Sequence, residues 1–127
     1  MRSGPLAVMA RIRHLTTDVI TGTVRFLPPP DRRADVVEIL RSVQGSVRTQ
    51  PGCLAFDIYD EQGPESAVLL VERWDTDDAL EAHLRSEIYR SILGAIELAG
   101  ARTEIRFEHV SASQGMELIE RLRTEAP

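Results

Sequence analysis

The sequence contains no lysine and no asparagine; all fifteen of its basic residues are arginine. A catalytic lysine, whether as Schiff-base amine or as general base, is thereby excluded, and so is any chemistry that draws an asparagine from this chain. Cysteine occurs once, at Cys53, which excludes an intrachain disulfide. Aromatic residues make up only 5% of the chain, with Trp74 the single tryptophan, so each of them weighs on whatever core or cleft is built. No apolar run approaches the roughly 20 residues that span a bilayer. The opening segment has a short apolar patch ending at Ala10, but Arg11, Arg13 and His14 cut it off before it resembles a signal peptide. A cytoplasmic protein is expected, with no membrane partner. The net charge of −5 argues against a nucleic-acid partner. The three histidines, His14, His83 and His109, show no metal-ligand spacing, and there is no P-loop, dinucleotide-binding glycine pattern or nucleophile elbow.

What is present is strong alternation. At 127 residues the chain fits one domain. Residues 1–17 carry no clear period and read as an extension, 18–112 as the domain, and 113–127 as an amphipathic helix with a tail. From Val19 to Leu27, Ile20, Val24 and Phe26 alternate with Thr21, Thr23 and Arg25, which predicts a strand ended by Pro28-Pro29-Pro30. Asp31 offers an N-cap, and Val36, Leu40, Val43 and Val47 recur at helical spacing up to the turn Gln50-Pro51-Gly52. Leu54, Phe56 and Ile58 alternate with Ala55, Asp57 and Tyr59 in a second strand. Ala67 to Trp74 reads as a third, apolar on both faces. Thr76 or Asp75 caps the next helical region, whose first turn holds Asp77 and Asp78. Leu80, Leu84, Ile88, Ile92 and Ile96 then recur every four residues, with Ser86 as a point where one helix becomes two and Gly100 as the stop. Thr103 to Ser111 sets Ile105, Phe107 and His109 against Glu104, Arg106, Glu108 and Val110 in a fourth strand. Met116, Ile119 and Leu122 mark the last helix.

The order β-α-β-β-α-β is that of an α+β, ferredoxin-like domain, here with an extra C-terminal helix. Two helices cover one sheet face and leave the other bare. Val68 and Leu70 point one way and Leu69 and Val71 the other, so an uncovered face would expose an unusually large apolar patch. A second copy packed sheet against sheet is the expected cover: a homodimer.

Gln50-Pro51-Gly52-Cys53, Glu72-Arg73-Trp74-Asp75 and Leu80-Glu81-Ala82-His83-Leu84, in this order, resemble the antibiotic biosynthesis monooxygenase family, and within it the quinol-monooxygenase-like members. The likeness runs from about Val19 to Val110. It implies a dimeric α+β barrel with a cleft between sheet and helices. It also implies chemistry in which molecular oxygen attacks a quinol, phenolic or polyketide-like aromatic substrate with no metal, flavin or other cofactor. Two departures matter. Haem-degrading members use an asparagine, which this chain lacks, Leu70 standing at the corresponding strand position. Ile92 and Leu93 stand where a haem-ligating histidine would be. Haem degradation is therefore disfavoured.

On the resemblance, His83 is the candidate catalytic residue, a proton acceptor or phenolate partner whose ordinary pKa lies near neutrality. On residue type alone, a buried structural histidine fits as well. Trp74 is the second candidate, offering an indole N–H to a substrate carbonyl or anchoring the core. Glu72, on the same side of its strand, needs a partner to be buried there and can orient His83 or pair with an arginine. Phe56, Tyr59 and Tyr89 are candidate cleft walls, equally suited to a core. Arg25 and Arg106 suit either an anionic substrate group or solvent, and Cys53 reads as a small buried hydrophobe. A non-catalytic dimeric ligand-binding module, and an isomerase-like or signal-degrading enzyme, remain as alternatives.

Overall fold

The computed structural model describes residues 18–125; the predicted extension over 1–17, with His14, lies outside them. Strand β1 (Val19–Phe26) leads into helix α1 (Arg33–Arg48), then come strands β2 (Cys53–Asp60) and β3 (Val68–Trp74). Helices α2 (Asp77–Arg85) and α3 (Tyr89–Ala99), strand β4 (Glu104–Val110) and helix α4 (Met116–Glu125) complete the chain. The sheet order is β2-β3-β1-β4 with every pairing antiparallel. This is the ferredoxin-like α+β arrangement, as an open sheet. No helix among the described residues is long and apolar enough to cross a membrane.

The helix-facing side of the sheet holds the core. Ile20, Val24 and Phe26 from β1, Val68, Leu70 and Trp74 from β3, and Phe56 from β2 are buried against Val36, Leu40, Val43 and Val47 of α1 and Ile92, Ala95 and Ala99 of α3. Of the three residues that disfavour haem degradation, Leu70 and Ile92 are core residues with no exposed surface, and Leu93 is exposed.

Three local expectations are corrected. Asp31 is not the cap of α1. Pro30 opens a short 3-10 turn, Pro30–Arg32, in which the Arg32 N–H bonds to the Pro29 carbonyl at 2.9 Å, and the α-helix starts only after it. Leu54 does not share the core face of Phe56, because the ladder with β3 shifts between Cys53 and Ala55 and puts Leu54 outward at 50% exposure. The four-residue stripe changes register past Ser86, the expected break, whose extended backbone (φ −73°, ψ 158°) separates α2 from α3. Beyond the break Tyr89, Ile92, Ala95 and Ala99 face inward, while Ile88 and Ile96 are only half-buried. Thr76 resolves the capping choice: its hydroxyl oxygen accepts from the Ala79 N–H at 3.0 Å.

The opposite face is open and mixed. Leu69 and Val71 lie half-buried among Thr21, Thr23 and Ala55, with Arg73, Arg106 and Glu108 exposed around them. Arg25 is held by Glu61 at 2.6 Å and by Glu65 at 3.1 Å, which occupies the guanidinium that was a candidate for substrate. Arg106 is exposed on edge strand β4. On β4, Ile105 and Phe107 face the helix side but remain exposed, and Met116, Ile119 and Leu122 of α4 are exposed as well.

Candidate active site

The site forms where the end of β3, the start of α2 and the Gln50 turn converge. Gly52 makes the convergence possible. Its φ of +83° is a conformation that side chains other than glycine disfavour, and a Cβ there would run into Ala79 and the Asp75 carboxylate. Its carbonyl accepts the Asp75 N–H at 2.9 Å, tying the turn to the end of β3. The result is a cleft of about 480 Å³ with a floor of Pro51, Gly52, Ala79 and Ala82, a rim carrying Asp75 and Asp78, and Gln50 and His83 in its inner wall. That volume suits a small aromatic molecule.

His83 projects from α2 into the core and is only 1% exposed. Its ring stacks on Trp74 with centroids 4.5 Å apart at 26°, and meets Tyr89 edge-on at 5.2 Å and Phe56 at 6.2 Å. Nδ1 lies 2.7 Å from Gln50 Oε1. The Gln50 Nε2 donates to Ser86 Oγ at 3.4 Å, and Ser86 Oγ donates to the His83 carbonyl at 2.7 Å. This network orients the carboxamide oxygen toward the ring, which places the imidazole proton on Nδ1. Nε2 then carries a lone pair and faces Glu72 Oε1 at 3.4 Å.

Glu72 is also fully buried, and its Oε1 accepts the Trp74 indole N–H at 2.7 Å. Its neighbours across the sheet are Phe56 on one side and Gly22 on the other, with Phe107 next in the row. Gly22 is required there: a Cβ would stand 2.8 Å from Glu72 Cγ and 2.9 Å from the Phe107 ring. Phe107 therefore closes over the backbone beside the carboxyl group. Among the described residues, Glu72 Oε2 and His83 Nε2 are buried without a hydrogen-bond partner.

Loss of water governs both groups. Burial raises the Glu72 carboxyl above its usual range, against the lowering effect of the Trp74 hydrogen bond. Burial lowers His83 from 6.5 to about 4, so the imidazole is neutral at physiological pH. The signs differ in their effect on stability. A histidine whose folded pKa lies below its unfolded value contributes stability above pH 6.5 that is lost as pH falls toward 4. Glu72 acts oppositely, favouring the fold at low pH and losing that contribution as pH rises. The His83 share amounts to about 3 kcal/mol between neutrality and pH 4. Urea unfolding at the two pH values, in wild type and His83→Gln, reads it as the difference in acid sensitivity; equal sensitivity in both would refute it.

The structure thus brings His83, Trp74, Glu72, Phe56 and Tyr89 into one cluster. Trp74 takes the core-anchor role of its two expected uses: its N–H is committed to Glu72 and its ring has no exposed surface. Glu72 meets His83 and Trp74 and no arginine. Tyr59 is not in the cluster: it pairs with Leu69 on the open face and is 52% exposed. Cys53 is half-buried, and desolvation raises its thiol pKa. His109 is exposed beside Asp77 at 2.7 Å. No group of three or more potential metal ligands occurs among the described residues. Gln50 and Phe107 were not legible as site residues. Gln50 stood out only as part of a turn and of the motif Gln50-Pro51-Gly52-Cys53, and Phe107 only as an alternating strand residue.

A family model described as antibiotic biosynthesis monooxygenase matches residues 20–94. Rv0793 of Mycobacterium tuberculosis, named as a candidate monooxygenase, is 30% identical over 73 residues, covering 58% of this chain and 71% of that protein. The uncharacterized protein sll1783 of Synechocystis is 20% identical over 97 residues, or 76% of this chain, which spans 65% of that relative's length. Among solved structures, a conserved protein of Methanosarcina mazei superposes with a TM-score of 0.66 at 19% identity, covering 72% of this chain and 92% of that one. Rv0793 itself gives 0.65 at 22%, covering 76% and 97%. A candidate antibiotic biosynthesis monooxygenase of Caulobacter crescentus gives 0.65 at 18%, covering 84% and 99%. At these identities the structures establish a shared fold.

Proposed function

The chain belongs to the antibiotic biosynthesis monooxygenase family, and from that membership we propose that it is a monooxygenase using molecular oxygen on a quinol or related phenolic substrate, with no metal, flavin or haem of its own. The observation that carries this reading is the cleft of about 480 Å³ whose inner wall holds a buried, neutral histidine. A phenol ring would lie against Pro51, Gly52, Ala79 and Ala82, and its hydroxyl would reach the buried imidazole by displacing Gln50 from Nδ1. Removing the hydroxyl proton leaves an electron-rich phenolate, the form that hands an electron to oxygen. His83 serves this step as the group that touches the hydroxyl, and Trp74, stacked on it, fixes the ring plane. Phe56 and Tyr89 keep water from the imidazole, which strengthens each hydrogen bond made there.

The protein works as a homodimer in this reading. The exposed Leu54, Tyr59, Ile105, Phe107 and the α4 stripe Met116, Ile119 and Leu122 supply the apolar surface that a second copy would cover.

Oxygen uptake with a panel of reduced quinones and phenols tests the activity. Uptake above the autoxidation rate of at least one compound, with a hydroxylated or quinone product by mass, is expected. Tight binding of such compounds with no uptake would instead favour a ligand-binding module. Product formation without uptake would favour the isomerase-like alternative. Light scattering at micromolar concentration should give twice the chain mass, and a well-folded monomer would overturn the assembly.

A further inference from the structure

We propose that the proton taken from the substrate comes to rest on Glu72, passed there by a tautomer exchange in His83, and that Gln50 fills the substrate's hydrogen-bonding position when the cleft is empty. The inference rests on the reading that a substrate hydroxyl reaches His83. It begins from a mismatch. Burial makes the imidazolium unfavourable, so His83 alone is a poor final holder of a proton. The same burial raises the proton affinity of the carboxylate facing its other nitrogen. The two groups are arranged in series: cleft, Nδ1, Nε2, Glu72.

In the receiving state Glu72 is a carboxylate and His83 carries its proton on Nε2, donated to that carboxylate. The substrate O–H bond breaks as Nδ1–H forms. The Nε2–H bond breaks as a Glu72 O–H forms, and the electron pair of the O–H bond stays on the substrate oxygen. The imidazole begins and ends neutral. The geometry matches the second state: Nδ1 lies 2.7 Å from the Gln50 carboxamide oxygen, to which an Nδ1–H donates, while Nε2 faces Glu72 Oε1 at 3.4 Å and has no hydrogen-bond partner. A carboxyl proton on Glu72 Oε1, donated to Nε2, satisfies the orphan nitrogen. Gln50 fits the placeholder role because its carboxamide can present either an oxygen or an N–H₂ to Nδ1, at the cost only of the long 3.4 Å bond to Ser86.

The other titratable groups around the pair are Tyr89 from α3 and Cys53 from β2, both shifted upward by burial and therefore neutral here. Asp75 and Asp78 lie on the outer cleft.

Ring-nitrogen NMR of the full chain labelled with [15N]histidine tests the exchange without any ligand, the His83 signals being assigned by their loss in His83→Gln. As pH rises and Glu72 ionises, His83 should pass from the Nδ1–H to the Nε2–H tautomer without becoming imidazolium. Glu72→Gln removes the ionisation and keeps one acceptor oxygen for the Trp74 N–H, so its tautomer should not change with pH. With a phenol that wild type oxidises, the same variant should lose about 10²-fold in kcat with KM little changed. A wild-type His83 that shows no tautomer change overturns the proposal, as does a Glu72→Gln protein with the wild-type tautomer profile or kcat. A tautomer switch in a protein that oxidises no phenol would remove the proposed activity and leave the proton exchange standing.

Discussion

Replacing His83 by alanine lowers turnover by about 10²-fold or more while the protein stays folded. Among the described residues it is the only titratable side chain that borders the cleft and also reaches the buried carboxyl, so its removal cuts the path between them. His83→Gln is the sharper variant. It fills much of the same space and keeps a hydrogen bond toward Gln50, but it cannot exchange protons between its ends. Binding of a substrate-like phenol should therefore survive in His83→Gln far better than rate does. Oxygen uptake per folded molecule, compared with Kd for the same phenol, separates the two effects. Equal specific activity in wild type and His83→Ala would remove the residue from the chemistry and leave it as part of the core.

Trp74→Ala is expected to cost about 3–5 kcal/mol of folding stability, the range for emptying a large aromatic site. Trp74 has no exposed surface, and it closes the core end of β3 while pairing with Ile20 of β1 and Cys53 of β2. Its loss also strips His83 of the stacked face at 4.5 Å and leaves Glu72 Oε1 without the indole donor. Trp74→Phe refills most of the volume and lacks the N–H, so it should cost about 1–3 kcal/mol, the penalty for an unsatisfied buried acceptor. Chemical denaturation of both variants divides packing from hydrogen bonding. A loss below about 1 kcal/mol in the alanine variant would mean that the core recloses around the gap.

The cluster around His83 was only partly legible before the fold was known. Glu72 and Trp74 announced a shared strand face through their spacing, and their contact follows from that period of two. Phe56 joins them because it pairs directly with Glu72 across β2 and β3. Tyr59 failed to join because it sits three positions beyond Phe56, an odd step that turns it to the open face. Leu54 was misplaced for a related reason: a bulge adds one residue between Cys53 and Ala55, and alternation cannot show where a ladder slips.

By itself the sequence determined the kind and order of the elements, because strand alternation, helical spacing, proline stops and the Thr76 cap act over a few neighbouring residues. It also determined what chemistry is closed to the chain, through its lack of lysine, asparagine and a second cysteine. The tertiary structure alone decided which side chains share a site. Gln50 reaches His83 across 33 residues only because the positive φ of Gly52 lets the turn dock on the start of α2. Glu72 becomes a carboxyl with a raised pKa beside an imidazole kept neutral only once sheet and helices have removed their water. That desolvation belongs to the packed layers and not to either residue, so no local pattern encodes it.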